Sequence, residues 1–216
     1  MSLTKLVEYS NKLVERGLTV GSGGNTSLRK GDSVYLSPSG YSLGDVEEKD
    51  FVEMSLETEE ILKGEKRPTS SWSTHLAIYR AMPDSVAIMH AHPPYLIALI
   101  STGRDLRPTT PDHAVLLKKS VTLPYTAATG EGLANAVREK GLGSDVILLR
   151  NHGVITSGRS VKDAFTKVEL VEDAAKIQLL GSLVGKVRFL TEEEISEIMN
   201  LDVIAYKEKL IKEEKD

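Results

Sequence analysis

Two short apolar runs that end in histidine constrain this chain more than anything else in it. Ser85-Val86-Ala87-Ile88-Met89 runs directly into His90-Ala91-His92, and Asp145-Val146-Ile147-Leu148-Leu149 leads through Arg150 to Asn151-His152-Gly153. The chain has five histidines, and three of them stand at these two places. Runs of this length and composition predict buried strands over 85–91 and 145–149. In a strand, residues i and i+2 share a face and lie about 6.6 Å apart at roughly 3.3 Å per residue. Two imidazoles so placed reach one metal ion, and a third from a neighbouring strand end completes a facial set. At least one coordination position then stays open, as in a catalytic rather than a structural metal site. The structural alternative is a set of hydrogen-bonded, half-buried histidines, and the spacing alone does not decide between the two.

The donor set follows from what the chain lacks. It has no cysteine, so disulfides, thiolate metal sites and cysteine nucleophiles are excluded. Any metal must take imidazole and oxygen ligands, which suits zinc, manganese, iron or cobalt. The absence of cysteine also fits a cytoplasmic setting. The 216 residues suffice for one sizeable core, so a single domain over 1–216 is expected. A formal charge of −4 argues against a nucleic-acid binder. No apolar run approaches the roughly 18 residues of a membrane span. The first residues, amphipathic and acid-containing, do not resemble a signal peptide.

Periodicity and punctuation predict the remaining elements. Residues 3–17 carry a helical stripe closed by Gly17. A glycine-rich turn, Val20 to Asn25, enters a strand that pairs through Gly31-Asp32 with Val34-Tyr35-Leu36. Phe51-Val52-Glu53-Met54 is a further strand. A helix runs from Ser70 or Ser71 to about Met82, where Pro83 stops it. Another begins at Pro93-Pro94. The proline- and threonine-rich segment 104–125 is expected to hold two short strands. Helices are expected over 131–141, 160–184 and 191–214, and Val154-Ile155-Thr156 as a hairpin partner or continuation of 145–149. The charged end, Lys207 to Asp216, reads as a solvated helical tail.

Three polar loops stand beside the histidines in the sequence pattern. Gly23-Gly24-Asn25-Thr26-Ser27 and Ser37-Pro38-Ser39-Gly40 offer backbone N–H groups and short hydroxyls. Thr69-Ser70-Ser71 lies at a helix N-terminus, where unsatisfied amides and the helix dipole favour an anion. Each alone is an ordinary turn; together they can cradle a phosphate through neutral donors. Neither the P-loop pattern nor G-x-G-x-x-G occurs, so nothing supports a nucleotide site.

In order, Gly24-Asn25-Thr26-Ser27, Ser37-Pro38-Ser39-Gly40, Pro68-Thr69-Ser70-Ser71-Trp72-Ser73-Thr74-His75, His90-Ala91-His92 and Asn151-His152-Gly153 resemble the class II, zinc-dependent sugar-phosphate aldolase/epimerase family. The resemblance covers roughly residues 3–185 and is nearest the L-fuculose-1-phosphate aldolase branch. It implies a three-layer α/β/α fold with a central, mostly antiparallel sheet. It implies a homotetramer with active sites at subunit interfaces, a sugar phosphate as small-molecule partner, and neither nucleic acid nor membrane. It implies Zn2+, or Mn2+, Fe2+ or Co2+ in its place, on His90, His92 and His152. The family's phosphate site falls on Ser22, Gly24, Asn25, Ser39, Gly40, Thr69 and Ser70.

One position departs from the pattern. Aldolases of the fuculose type carry Pro-Ser-Ser-Glu before the tryptophan, and that Glu binds zinc and is the proposed acid/base; the epimerases keep an Asp there. Here the position is Ser71. A hydroxyl has no useful basicity without a partner, and the structural reading of Ser71 is a helix cap. Thr109-Thr110-Pro111-Asp112-His113 offers a replacement, because a Glu of this region serves as acid/base in the dehydratase branch. Asp112 or His113 is therefore the candidate for proton transfer, reaching across a subunit interface, against a structural reading of Asp112 as a turn cap. Lys118 and Lys119 read as solvated, His75 as a core histidine between Trp72 and Tyr79, and Tyr206 either as a packing residue or as the tyrosine of the fuculose aldolase tail.

The expected activity is metal-dependent, reversible aldol cleavage of a ketose 1-phosphate to dihydroxyacetone phosphate and an aldehyde. A decarboxylase or dehydratase of the same superfamily is the alternative that the loss of the Glu raises. A non-catalytic scaffold, as in the adducin head domain, is the alternative of another class. All three metal histidines speak against it.

Overall fold

The computed structural model describes residues 2–126, 130–204 and 206. One eight-stranded sheet runs through the described residues in the order β4-β3-β2-β1-β5-β8-β7-β6. Its strands are β1 Asn25–Lys30, β2 Ser33–Leu36, β3 Val52–Ser55, β4 Ile61–Lys63, β5 Ala87–Ala91, β6 Ser120–Leu123, β7 Val146–Leu149 and β8 Gly153–Gly158. Every neighbouring pair is antiparallel except β6 and β7. That pair is joined by a helical crossover, α5 (Glu131–Ala136), which a parallel connection requires.

Helices cover both faces. On one lie α1 (Leu3–Glu15), α3 (Pro94–Ser101), α4 (Pro111–Leu117) and the long α6 (Val161–Val184), packed through Leu6, Leu13, Leu96, Leu99, Leu116 and Val168 against Ala87, Met89 and Ala91 of β5. On the other lie α2 (Trp72–Ala81) and α5, packed through Leu76, Tyr79 and Leu133 against Ile88, Ile147, Leu149 and Ile155. The odd and even residues of β5 thus feed separate cores, as the two-residue period of a strand dictates. Each fully buried Leu or Ile contributes about 1.5–3 kcal/mol. Exposed ion pairs such as Lys12–Glu8 contribute about 0–1 kcal/mol each, so apolar burial decides the fold. This is the expected three-layer α/β/α architecture.

Several local expectations change. The segment 104–125 holds one helix and one strand, α4 and β6, not two strands. Its proline and threonine are helix-start chemistry. The Thr110 side chain accepts from His113 N, Pro111 takes the first helical position, and Asp112 lies in the first turn. Residues 137–141 form a π turn rather than an α-helical continuation of α5. The last long helix is interrupted: α7 is Glu192–Met199 with Asn200 at its C-cap, and residues 202–204 and 206 are again helical. The tail 207–216 lies outside the described residues. The short, exposed edge strand β4 was not foreseen.

Candidate active site

The three histidines meet at one end of β5, β7 and β8. His90 is the penultimate residue of β5, opposite Ile155, and His92 follows the strand, where its N–H donates to Leu18 O at 2.9 Å. His152 sits in the β7–β8 turn, its N–H donating to Leu149 O at 3.1 Å. Asn151 takes φ +56° to make that turn, a conformation asparagine tolerates. Gly153 follows because nothing larger fits: a Cβ there would lie 2.2 Å from Ala91 O. Gly24, at φ +73°, passes the same strand end, and its Cβ would lie 2.7 Å from His90 O.

The ring nitrogens converge. His90 Nε2 lies 3.1 Å from His152 Nε2 and 3.1 Å from His92 Nε2. His90 Nδ1–H donates to Val154 O at 3.0 Å, which leaves the Nε2 lone pair of the neutral ring pointing at its two neighbours. Such a backbone anchor on the far nitrogen is the usual support of a metal-ligating histidine. Burial is the first cause holding all three rings neutral. His92 is lowered to about 4, with His152 adding to the effect, and His152 is lowered as well. His90 falls well below the ordinary range through burial and then through both neighbours. The 3.1 Å separations of His90 Nε2 from both neighbours, with all three ligand atoms within 4.8 Å of one another, suit a small divalent cation: zinc–nitrogen bonds of about 2.0–2.1 Å in tetrahedral geometry set the nitrogens about 3.3 Å apart. The described residues offer this one group able to hold a metal, and it contains no carboxylate.

The anion loops adjoin this centre. Asn25 is the register partner of His90 across β1 and β5. Ser37 Oγ accepts from Thr26 N at 3.1 Å, Thr69 N donates to Ser37 O and Ser39 N to Arg67 O, both at 2.9 Å, and Pro38 bridges to Pro68. Asn25 Nδ2 donates to Ser71 Oγ at 3.5 Å. The loops holding Ser22, Gly24 and Asn25, Ser39 and Gly40, and Thr69 and Ser70 are thereby stitched together. Ser22, Gly40 and Ser70 are exposed, Gly24 and Ser39 half-buried, Asn25 and Thr69 buried.

Ser71 occupies the N-cap position of α2, but its side chain makes no capping bond. The hydroxyl is buried beside Asn25 instead. His113 and Asp112 lie elsewhere in the same chain. His113 is buried in α4 with Thr109 Oγ1 at 3.1 Å from Nδ1 and Asp173 Oδ2 at 3.2 Å from Nε2. Asp112 is exposed and lines a cavity of about 520 Å³ together with Ser85, Gly158, Lys118 and Lys119. Gly158 pairs with Ala87, whereas Val154 pairs with Ala91 beside the histidines. The cavity is therefore at the opposite end of the strands, roughly 13 Å away at 3.3 Å per residue. Tyr206 is exposed.

Comparison with known proteins decides the family. Residues 4–179 match the family described as Class II Aldolase and Adducin N-terminal domain. The chain belongs to that family. This class II aldolase family member is 38% identical over 186 residues, 86% of its length and all of the relative's, to a protein from Methanocaldococcus jannaschii named L-fuculose phosphate aldolase. It is 32% identical, over 90% of its length and 94% of the relative's, to a Haemophilus influenzae protein named 3-oxo-tetronate 4-phosphate decarboxylase. A solved L-fuculose 1-phosphate aldolase superposes with a TM-score of 0.83 at 30% identity, covering 96% of this chain and 97% of that one. The chain is thus an enzyme of the class II aldolase superfamily with a three-histidine cluster that could bind a metal. No helix among the described residues is long and apolar enough to cross a membrane.

Sequence reasoning missed what holds Asn25. His75, read as a core histidine, is fully buried, yet its Nε2 lies 2.6 Å from Asn25 Oδ1. The sequence signal available was the pairing of two polar, bulky residues, His75 and Tyr79, at i and i+4 on a helix whose buried residues also include Leu76, Ala77 and Ile78.

Proposed function

We propose that this enzyme catalyses reversible aldol cleavage of a ketose 1-phosphate, of the L-fuculose-1-phosphate type, to dihydroxyacetone phosphate and an aldehyde. The observation that carries the reading is the adjacency of two half-sites: three neutral imidazoles with converging Nε2 atoms, and Asn25 directly across the strand pair from His90. Zn2+ is the cation we assign to His90, His92 and His152. It would supply Lewis acidity to a carbonyl and its neighbouring hydroxyl.

The chain's own residues do the rest. Asn25, Ser39, Thr69 and Ser70, with the Ser22, Gly24 and Gly40 turns, hold the phosphate through neutral donors. That fixes the reacting carbons over the histidines and removes most of the orientational cost of reaction. The proton of the C4 hydroxyl passes to a carboxylate as the C3–C4 bond breaks. The electron pair moves toward the C2 carbonyl, and a proton returns to C3. Ser71 stands where the fuculose-type enzymes carry a Glu, so it supplies no base. Asp112 lies far from the histidines of its own chain, and we assign it to the centre of a neighbouring copy in a homotetramer, with His113 holding α4 in place.

Both relatives' names carry a phosphate but differ in the bond that is broken, and this leaves a specific second reading, decarboxylation of a phosphorylated 3-oxo acid. Condensation separates the two. Zinc-loaded protein given dihydroxyacetone phosphate and a panel of short aldehydes, L-lactaldehyde among them, is expected to form ketose phosphate. No product with any aldehyde, alongside carbon dioxide release from a phosphorylated 3-oxo acid, would transfer the assignment to the decarboxylase.

A further inference from the structure

Four buried polar side chains form a line under the anion loops. Tyr79 Oη lies 2.8 Å from Ser27 Oγ, Ser27 Oγ 2.7 Å from His75 Nδ1, and His75 Nε2 2.6 Å from Asn25 Oδ1. Tyr79 and His75 come from α2, Ser27 and Asn25 from β1. Neutral, the imidazole carries one ring proton and one lone pair; burial lowers the His75 pKa to about 3. Asn25 Oδ1 can only accept, so the proton is on Nε2. Nδ1 then accepts from the Ser27 hydroxyl, and Ser27 Oγ accepts from Tyr79. This direction follows from Asn25 Oδ1 facing His75; Tyr79 Oη also lies 3.4 Å from Val86 O, a second acceptor for its proton. At the end of the line Asn25 Nδ2 faces Ser71 Oγ at 3.5 Å.

The direction matters because a half-turn of an asparagine amide exchanges a donor for an acceptor. A phosphate oxygen meeting Nδ2 gains a charge-assisted bond; meeting Oδ1 it is repelled. The donor loops assigned to phosphate contain no Lys or Arg, so their neutral donors have little to offset one reversed dipole. We propose that His75 is a positioning residue, whose Nε2–H···Oδ1 bond fixes the Asn25 amide with its NH2 group toward the anion. This inference rests on the assignment of Asn25 to the substrate phosphate.

The test uses zinc-loaded, full-length protein and reads the KM and kcat for dihydroxyacetone phosphate together with the Kd for inorganic phosphate. Asn25→Ala and His75→Phe are each expected to raise KM and Kd about tenfold while kcat changes by less than about threefold, the loss typical of one hydrogen bond to a charged group. The double variant is expected to be no worse than Asn25→Ala alone. His75→Gln, whose side-chain amide can donate from the place of Nε2, is expected to return both constants to within about threefold of wild type. If Asn25→Ala weakens phosphate binding but His75→Phe does not, or if the two losses multiply, the positioning role is overturned while the phosphate site stands. If Asn25→Ala leaves phosphate binding unchanged, the phosphate assignment itself falls and this inference falls with it. Nitrogen-15 histidine spectra of the wild-type holoenzyme need no variant to fold. They are expected to show His75 neutral with its proton on Nε2, and a proton on Nδ1 would overturn the proposal.

Discussion

Buried groups that must stay neutral leave a signature in acid. His75 has a folded pKa of about 3, set by burial, against 6.5 for an exposed imidazole. Between these values the unfolded chain binds more protons than the folded one. Stability therefore rises with pH across that window, is fully present above 6.5, and is lost as pH falls. The slope from this residue reaches about 1.4 kcal/mol per pH unit. Wild type should thus lose roughly 2 kcal/mol more than His75→Phe between pH 6.5 and 5, measured by urea unfolding at one chain concentration. Parallel pH curves for the two proteins would place the protonation penalty elsewhere. His75 also marks where sequence stopped being enough. Its identity as a core residue follows from Trp72 and Tyr79 at i−3 and i+4 on α2. Its partners do not, because Ser27 and Asn25 are 48 and 50 residues away and meet it only through packing of α2 on β1. Ser71 was legible as a position at a helix start, but its buried contact with Asn25 was not.

The elements that carry the histidines were legible because strand and turn both write themselves locally. The apolar runs of β5 and β7, with a period of two, put His90 and His92 on one face, and Asn151-His152-Gly153 has the chemistry of a tight turn. Gly153 makes this dependence measurable. A Cβ there collides with Ala91 O and approaches His92 Cδ2 at 2.9 Å, so Gly153→Ala must part β8 from β5 beside the three histidines. It is expected to cost on the order of 3 kcal/mol and to lower zinc retention against a chelator at least about tenfold. Full retention in a folded variant would show that the strand pair is not what aligns the ligands. By contrast α4 was hidden in the sequence by its composition. Proline and threonine suggest extended chain until the order Thr110-Pro111-Asp112 is read as cap, first residue and first-turn acid. Strand β4 was hidden by its three exposed residues, which bury nothing and so leave no pattern.

Across the whole chain, the fold puts the three clustered histidines and Asp112 at opposite ends of β5 and β8, and the proposed chemistry then requires more than one chain. Mixed assembly tests this requirement. Asp112→Ala and His92→Ala proteins are each expected to be inactive alone. Unfolded, mixed in equal amounts and refolded, they should recover activity at about a quarter of the sites, the fraction in which an intact histidine set faces an intact Asp112 from another copy. No recovery would confine the acid/base to the chain that holds the metal. If His90, His92 and His152 form a centre for proton and carbon–carbon chemistry at a carbonyl, hydrogen exchange reads it without a partner substrate. Zinc-loaded wild type incubated with dihydroxyacetone phosphate in heavy water, followed by proton NMR, should exchange a C3 hydrogen for deuterium with no aldehyde present. His92→Ala is expected to slow this exchange by at least about a hundredfold. Equal exchange in wild type and variant, or none in wild type holding one zinc per chain, would contradict that role of the three histidines.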